Sequence, residues 1–185
     1  MTKEERINKF KEAFSKIFTE EEIDNFKYEL DDLNFFTAPA STKFHGNYEG
    51  GLFDHSFAVM THLVELTEKL NLHWLRPCSP YIVGLLHDLC KCDSYVYDED
   101  KNAYVWANPL LTGHGDKSAI LAEKVLAFIG NRSPLTEEET LCIRWHMGAF
   151  DDKENWNNYG NAIEKYPNVL YTHTADMIAA RVDLI

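Results

Sequence analysis

His87 and Asp88 stand side by side in Gly84-Leu85-Leu86-His87-Asp88-Leu89-Cys90-Lys91, directly after an apolar turn. Burying an imidazole and a carboxylate together is costly unless they have a partner, and a divalent metal is such a partner. Lys91 follows one turn later, at i+4 from His87 and i+3 from Asp88, where it could meet an anion held by that metal. His55, in Phe53-Asp54-His55-Ser56, and Asp176, in Thr174-Ala175-Asp176-Met177, supply an imidazole and a carboxylate from other segments, again among apolar neighbours. Mixed imidazole and carboxylate ligands suit Mn, Fe, Co, Ni or Zn better than an all-oxygen calcium cage. The plainer alternative is a buried histidine satisfied by the carboxylate beside it. Further candidates are His114 in Gly113-His114-Gly115-Asp116, or else a helix-capping loop, and His146 beside Trp145, or else a half-buried core residue. His45, in a glycine-containing stretch, could hold a substrate phosphate or merely its loop, and Arg181 is a phosphate candidate near Asp176 or a surface ion-pair partner. His62 and His173 read as supporting residues and His73 as a surface one.

His55, then His87-Asp88, then Asp176 resembles the H…HD…D signature of the HD-domain metal-dependent phosphohydrolase superfamily. From about Phe36 to Arg181 the chain is similar to the HD half of bacterial 3′-to-5′ exoribonucleases that join an OB-fold to an HD domain. Ala38-Pro39-Ala40, Phe44-His45-Gly46, Leu86 to Lys91, Thr112-Gly113-His114 and His173 to Asp176 carry that similarity. The resemblance implies that His55, His87, Asp88 and Asp176 hold one divalent ion and that His114 and His146 belong to a second. It implies that Lys91 contacts the scissile phosphate; in the mechanism expected from this set, Asp88 orients or deprotonates the attacking water, and Lys91, with His45 and His114, neutralises charge on the phosphoryl oxygens, Arg181 being a further phosphate candidate. Cys90 stands where the family commonly has Gly, and the family's His-His pairs are absent, so a second ion is expected to bind more weakly than the first.

These residues need helices to hold them. Ile7, Phe10, Phe14 and Ile17 recur at helical spacing over Lys3 to Phe18. Thr19 with Glu22 forms a capping-box pattern before Ile23, Phe26 and Leu30. Residues 31 to 51 lose the period but carry Phe35, Phe36 and Phe44, which implies a packed loop. Leu52 to Leu70 reads as a long helix. Ser79 as N-cap and Pro80 at the first position predict a central, buried helix over Tyr81 to Lys91. Tyr95-Val96-Tyr97 and Tyr104-Val105-Trp106 predict a hairpin, pinned by cross-strand rings or offering them as a flap for a base. Helices are then expected over Asp116 to Ile129, Thr136 to Met147, with Thr136 and Glu139 as a capping box, and Asn168 to Asp183. The expected architecture is all-α, an HD-type helical bundle with one short β-hairpin. Residues 1–36 form an N-terminal helical extension on the core, and residues 37–185 form the HD phosphohydrolase domain.

With 185 residues, 45% hydrophobic and 26% charged, the chain has the composition of one ordinary globular domain. No apolar run reaches the roughly 18 residues that cross a bilayer, and Met-Thr-Lys-Glu-Glu-Arg lacks the apolar segment of a signal peptide. Four cysteines then read as reduced thiols, and a cytoplasmic setting is expected. A net charge of −12 disfavours a grip on extended nucleic acid. The expected activity is therefore metal-dependent hydrolysis of a phosphoester in a small phosphorylated substrate such as a nucleotide, using one or two ions. A 3′-5′ exonuclease acting on single-stranded RNA or DNA is the second reading, and a non-catalytic HD ligand-binding module the third.

Overall fold

The computed structural model describes residues 1–43, 46–130 and 134–185, and among them eight α-helices and one β-hairpin make an all-α architecture. Helix α1 (Lys3–Phe14) opens on a Thr2/Glu5 capping box. It stops four residues short of the expected Phe18 because Ser15 donates its hydroxyl to the Glu12 carbonyl, a local bond that competes with helix continuation. The chain then bends so that Phe18 stacks on Phe14 at 5.4 Å. Helix α2 (Glu20–Asp32) starts at the Thr19/Glu22 capping box, and its buried Ile23, Phe26 and Leu30 follow the predicted stripe. Phe10 and Phe14 of α1 meet Phe26 edge to face at 5.2 and 5.4 Å, and Phe10 meets Phe36 at 5.9 Å. The aperiodic loop after α2 is thus packed by fully buried Phe35 and Phe36, while Phe44 lies outside the described residues.

Helix α3 (Gly51–Leu70) lies against α4 (Ser79–Leu86). Gly84 makes this approach possible, since a Cβ built on it would sit 2.4 Å from the Cα of Met60. As expected, α4 is buried on all sides, but it is shorter than the predicted Tyr81 to Lys91. His87 turns its Nδ1 back to the Gly84 carbonyl at 2.9 Å, and Asp88 (φ −111, ψ 18) leaves the helical region. A 3-10 turn, Leu89–Asp93, follows. Nor does Ser79 act as an N-cap; its hydroxyl donates to buried Glu139 at 2.8 Å instead.

Strands β1 (Tyr95–Asp98) and β2 (Ala103–Trp106) pair antiparallel, with Tyr95 opposite Trp106 and Tyr97 opposite Tyr104. Helices α5 (His114–Ala127) and α6 (Glu137–Arg144) follow, α6 behind the expected Thr136/Glu139 capping box. Helix α7 (Trp156–Lys165) was not predicted, because Asn157, Asn158, Gly160 and Asn161 are weak helix formers. Its Tyr159 and Ile163 pack on the core and hold it in place. Helix α8 (Asn168–Ile178) gives way to a π turn at Ala179–Asp183, where one continuous helix was expected. No helix among the described residues is long and apolar enough to cross a membrane.

Candidate metal centre

Five segments deliver side chains to one buried point. The second turn of α3 brings His55, and the end of α4 brings His87 and Asp88. The first residue of α5 is His114, His146 lies just beyond α6, and Asp176 sits on α8. His55 is anchored from both directions along the chain. Beside it, Asp54 is gripped by Arg6 of α1, with Nε to Oδ1 at 3.0 Å and Nη2 to Oδ2 at 3.2 Å, and Arg6 also reaches the Glu49 carbonyl. The Nδ1 of His55 lies 2.9 Å from the carbonyl of Ile185.

Asp88 is the hub. Its Oδ2 lies 3.6 Å from His55 Nε2, 3.4 Å from His87 Nε2 and 2.7 Å from Lys91 Nζ. Its Oδ1 lies 2.9 Å from His114 Nε2 and 3.4 Å from His146 Nε2. Asp176 Oδ1 completes the cluster at 3.2 Å from His55 Nε2. His55, His87, Asp88, His146 and Asp176 are all buried, and His114 is partly so.

The imidazoles are also oriented. Nδ1 of His55, His87 and His146 faces the carbonyls of Ile185, Gly84 and Ile143, at 2.9, 2.9 and 2.7 Å. A carbonyl can only accept, so in the neutral ring Nδ1 carries the hydrogen and Nε2 presents a bare lone pair to the centre. At His87 and His146 those lone pairs face carboxylate oxygens that are acceptors too. Nε2 of both rings and Oδ1 of Asp88 are buried without a hydrogen-bond partner among the described residues. Acceptor facing acceptor in a desolvated site is unfavourable until a cation lies between them. The donors fit a divalent transition ion, in three groups among the described residues: His55, His87 and Asp176; His87, Asp88 and His146; and Asp88, Cys90 and His114, the last with a sulfur.

Charge follows the same pattern. Burial favours the neutral form of His87 and His114 and lowers both below the ordinary histidine value, against the pull of Asp88. At His146 burial acts the same way, but the Asp88 carboxylate 3.4 Å away outweighs it and the net direction is upward. Burial would raise Asp88, yet Lys91 and the surrounding histidines hold it well below the carboxylate range. Lys91 is likewise kept charged, the Asp88 carboxylate overcoming the cost of burial.

His114 differs from the other three. Its Nδ1 meets no carbonyl but the thiol of Cys90, at 3.2 Å. Burial first, then the Asp88 charge, push that thiol up to about 12, so it stays protonated and can donate to Nδ1. The His114 ring is thus set by a side chain, where a backbone carbonyl sets the other three.

A cavity of about 180 Å³ opens on the cluster, lined by Asp88, Lys91, His114, His146, Phe150 and Arg181 among others. Arg181 thus reaches the site from the π turn, exposed at its rim. His45 lies outside the described residues. His62 pairs with Asp183 at 2.5 Å, His173 Nδ1 lies 2.7 Å from the His146 carbonyl, and His73 is exposed. Sequence reasoning missed Met147, Phe150 and Met177 as cavity walls, and Cys90 as the partner of His114. The Cys90 position, where a glycine was expected, was the available signal.

Comparison with known proteins gives two matches. The family model of the HD domain covers residues 52–183. A 66-residue stretch, 34% of this chain, is 35% identical to a dihydroneopterin 2′,3′-cyclic phosphate phosphodiesterase of Methanocaldococcus jannaschii and covers 26% of it. The chain therefore spans about a quarter of that relative's length. No solved structure matches.

Proposed function

We propose, for a chain that belongs to the HD domain family, a metal-dependent phosphohydrolase that cleaves a phosphoester of a nucleotide or similar small phosphate ester. The observation that carries this reading is the set of buried, partnerless acceptors, Nε2 of His87 and His146 with Oδ1 of Asp88, converging on one point. His55, His87, Asp88 and Asp176 hold the first divalent ion. Asp88, His114 and His146 hold a second, weaker one. Such an ion supplies Lewis acidity and draws the pKa of water from 15.7 toward about 7.

The chain's own residues do the rest. Asp88 stays ionised and orients the attacking water. Lys91, beside it at 2.7 Å, neutralises charge that grows on the phosphoryl oxygens. Arg181 draws the substrate phosphate from the rim of the cavity. The buried walls keep bulk water away from the cluster. The relative is named for action on dihydroneopterin 2′,3′-cyclic phosphate, which favours a small ester over a polymer here. The net charge of −12 points the same way. The layout that goes with this reading is a helical extension, 1–36, on an HD domain, 37–185, in a cytoplasmic setting.

The test is to load metal-free protein in parallel with Mn, Fe, Co, Ni or Zn. Mononucleotides, cyclic nucleotides and short labelled RNA and DNA are then offered to each. Metal-dependent release of phosphate or ring opening of a small ester is expected. Full metal content with no hydrolysis of any compound would leave a binding module. Processive shortening of RNA or DNA with a steep salt dependence would make it an exonuclease.

A further inference from the structure

A second cavity, of about 110 Å³, lies beside the first, between the hairpin and the segment that leads into α5. Lys91 and His114 line both cavities, so the two share a wall. Small-molecule sites usually occupy roughly 300–1,000 Å³, and neither cavity alone has room for a whole nucleotide. One could take the phosphate and the other the rest.

The lining of the second cavity differs in kind. Tyr95 and Trp106 line it, an edge-to-face pair with centroids 5.9 Å apart at 71°. Pro109 and Leu111 of the following segment line it too. Edge-to-face contact covers the face of only one ring, so the pair leaves an aromatic face open. Trp106 remains 51% exposed and Leu111 44%, an apolar surface held next to a buried cationic site. Pinning the hairpin does not require this pair alone, because Tyr97 and Tyr104 already close the strands at 5.3 Å. The hydroxyls differ as well. Tyr97 donates to Asn102, whereas that of Tyr95 has no hydrogen-bond partner among the described residues. It is available to the edge of a ring.

We infer that this cleft takes the planar ring of a nucleobase whose phosphate lies at Lys91, with Trp106 and Leu111 against its faces and the Tyr95 hydroxyl at its edge. This rests on the reading of the adjoining centre as a phosphoester site. It sets the substrate class as a ring-bearing phosphate of one nucleotide, since the cleft is sized for a single ring and not for a run of stacked bases.

The experiment is equilibrium binding by calorimetry to Mn-loaded protein. The ligands are the four common ribonucleoside 5′-monophosphates and ribose 5-phosphate, which is the same ligand without its ring. At least one nucleotide should bind about tenfold or more tightly than ribose 5-phosphate, the scale of one base stacked on one aromatic side chain. Trp106→Ala should remove about tenfold or more of that preference, Trp106→Phe should restore most of it, and Tyr95→Phe should cost a few-fold. Equal binding of ribose 5-phosphate and every nucleotide overturns the inference. So does a Trp106→Ala variant that weakens ringed and ringless ligands alike, because the tryptophan would then only be placing Lys91. If Trp106→Ala does not fold, Tyr95→Phe and Leu111→Ala decide, and an unchanged preference in both overturns the ring site. Ring-dependent binding without hydrolysis of any ester would sink the hydrolase reading and leave this one standing. Hydrolysis indifferent to the ring would do the reverse.

Discussion

Gly84→Ala places one methyl group where α3 and α4 touch backbone to backbone. The new Cβ would lie 2.4 Å from Met60 Cα and 2.8 Å from Met60 N, where ordinary contact begins at 3.4 Å, so the helices must part by about 1 Å. The atoms met are backbone and cannot rotate aside. Overpacking of this kind costs about 1–3 kcal/mol, and the gain of about 1 kcal/mol from alanine's better helix propensity offsets only part of it. A net loss of about 1 kcal/mol corresponds to a melting temperature lower by roughly 2–4 °C in a chain of this size. The effect on the centre is larger. His55 rides on α3, and His87 and Asp88 leave the end of α4. Metal–ligand distances tolerate only about 0.2 Å, so a shift of about 1 Å between these helices should empty the site of the proposed ion. Calorimetric melting, with elemental analysis after dialysis, measures both effects. Gly160→Ala on α7 is the comparator, since nothing lies within 4 Å of its Cβ position, and it should gain about 0.5–1 kcal/mol with unchanged metal. A Gly84→Ala protein that keeps its metal and melts no lower than the wild type would refute the reasoning.

His87→Ala or Asp88→Ala should lose bound metal and all hydrolysis while keeping helical circular dichroism; stoichiometric metal in both would remove the assignment. Lys91→Ala should retain metal but lower kcat by about 10²–10³, the scale of one lost transition-state donor, with turnover of the best substrate only weakly sensitive to salt. Arg6→Ala leaves the carboxylate of Asp54 poorly paired, and denaturant unfolding should register a loss of about 3–5 kcal/mol, where a loss under 1 would mean the pair is dispensable. Asp151 is held below the usual carboxylate pKa: burial would raise it, but Arg144 at 2.8 Å and Asn155 lower it further. A depressed folded pKa adds stability above the unfolded value near 3.9 and loses it as pH falls through the folded value. The stability gap between wild type and Asp151→Asn should therefore be full at pH 6 and shrink toward pH 2. A gap independent of pH would contradict the ion pair.

The sequence carried the fold where signals were local. Thr19 with Glu22 and Thr136 with Glu139 marked helix starts that the structure keeps, and alternation around Asp98 to Lys101 marked the hairpin. The meeting of His55, His87, Asp88 and Asp176 was legible because buried histidines and acids need a shared partner, whereas His114 and His146 were expected there only from the family resemblance. Tertiary effects were not legible. Helix α4 ends where the His87 ring captures its own backbone carbonyl, a choice made by the cluster around it. Helix α7 exists because the core accepts Tyr159 and Ile163, not because its asparagines favour a helix. The Cys90 thiol beside His114 and the Ile185 carbonyl beside His55 join residues far apart in sequence, and no periodicity reports such pairs.

The reach of the centre along the chain, from His55 on α3 to Asp176 on α8 and the Ile185 carbonyl, bears on how the protein is made. At a ribosomal pace of about 5–20 residues per second, on the order of ten seconds separate synthesis of the first ligand from that of the last. Throughout that interval His55, His87 and Asp88 are an incomplete set, and the buried acceptors that would close on an ion have not yet been brought together. The proposed ion can be held only after Asp176 has been made and α8 has packed on α3. Under the proposed reading, the identity of the ion would then be decided by the free-metal pool that the folded protein meets, in competition along the Irving–Williams order.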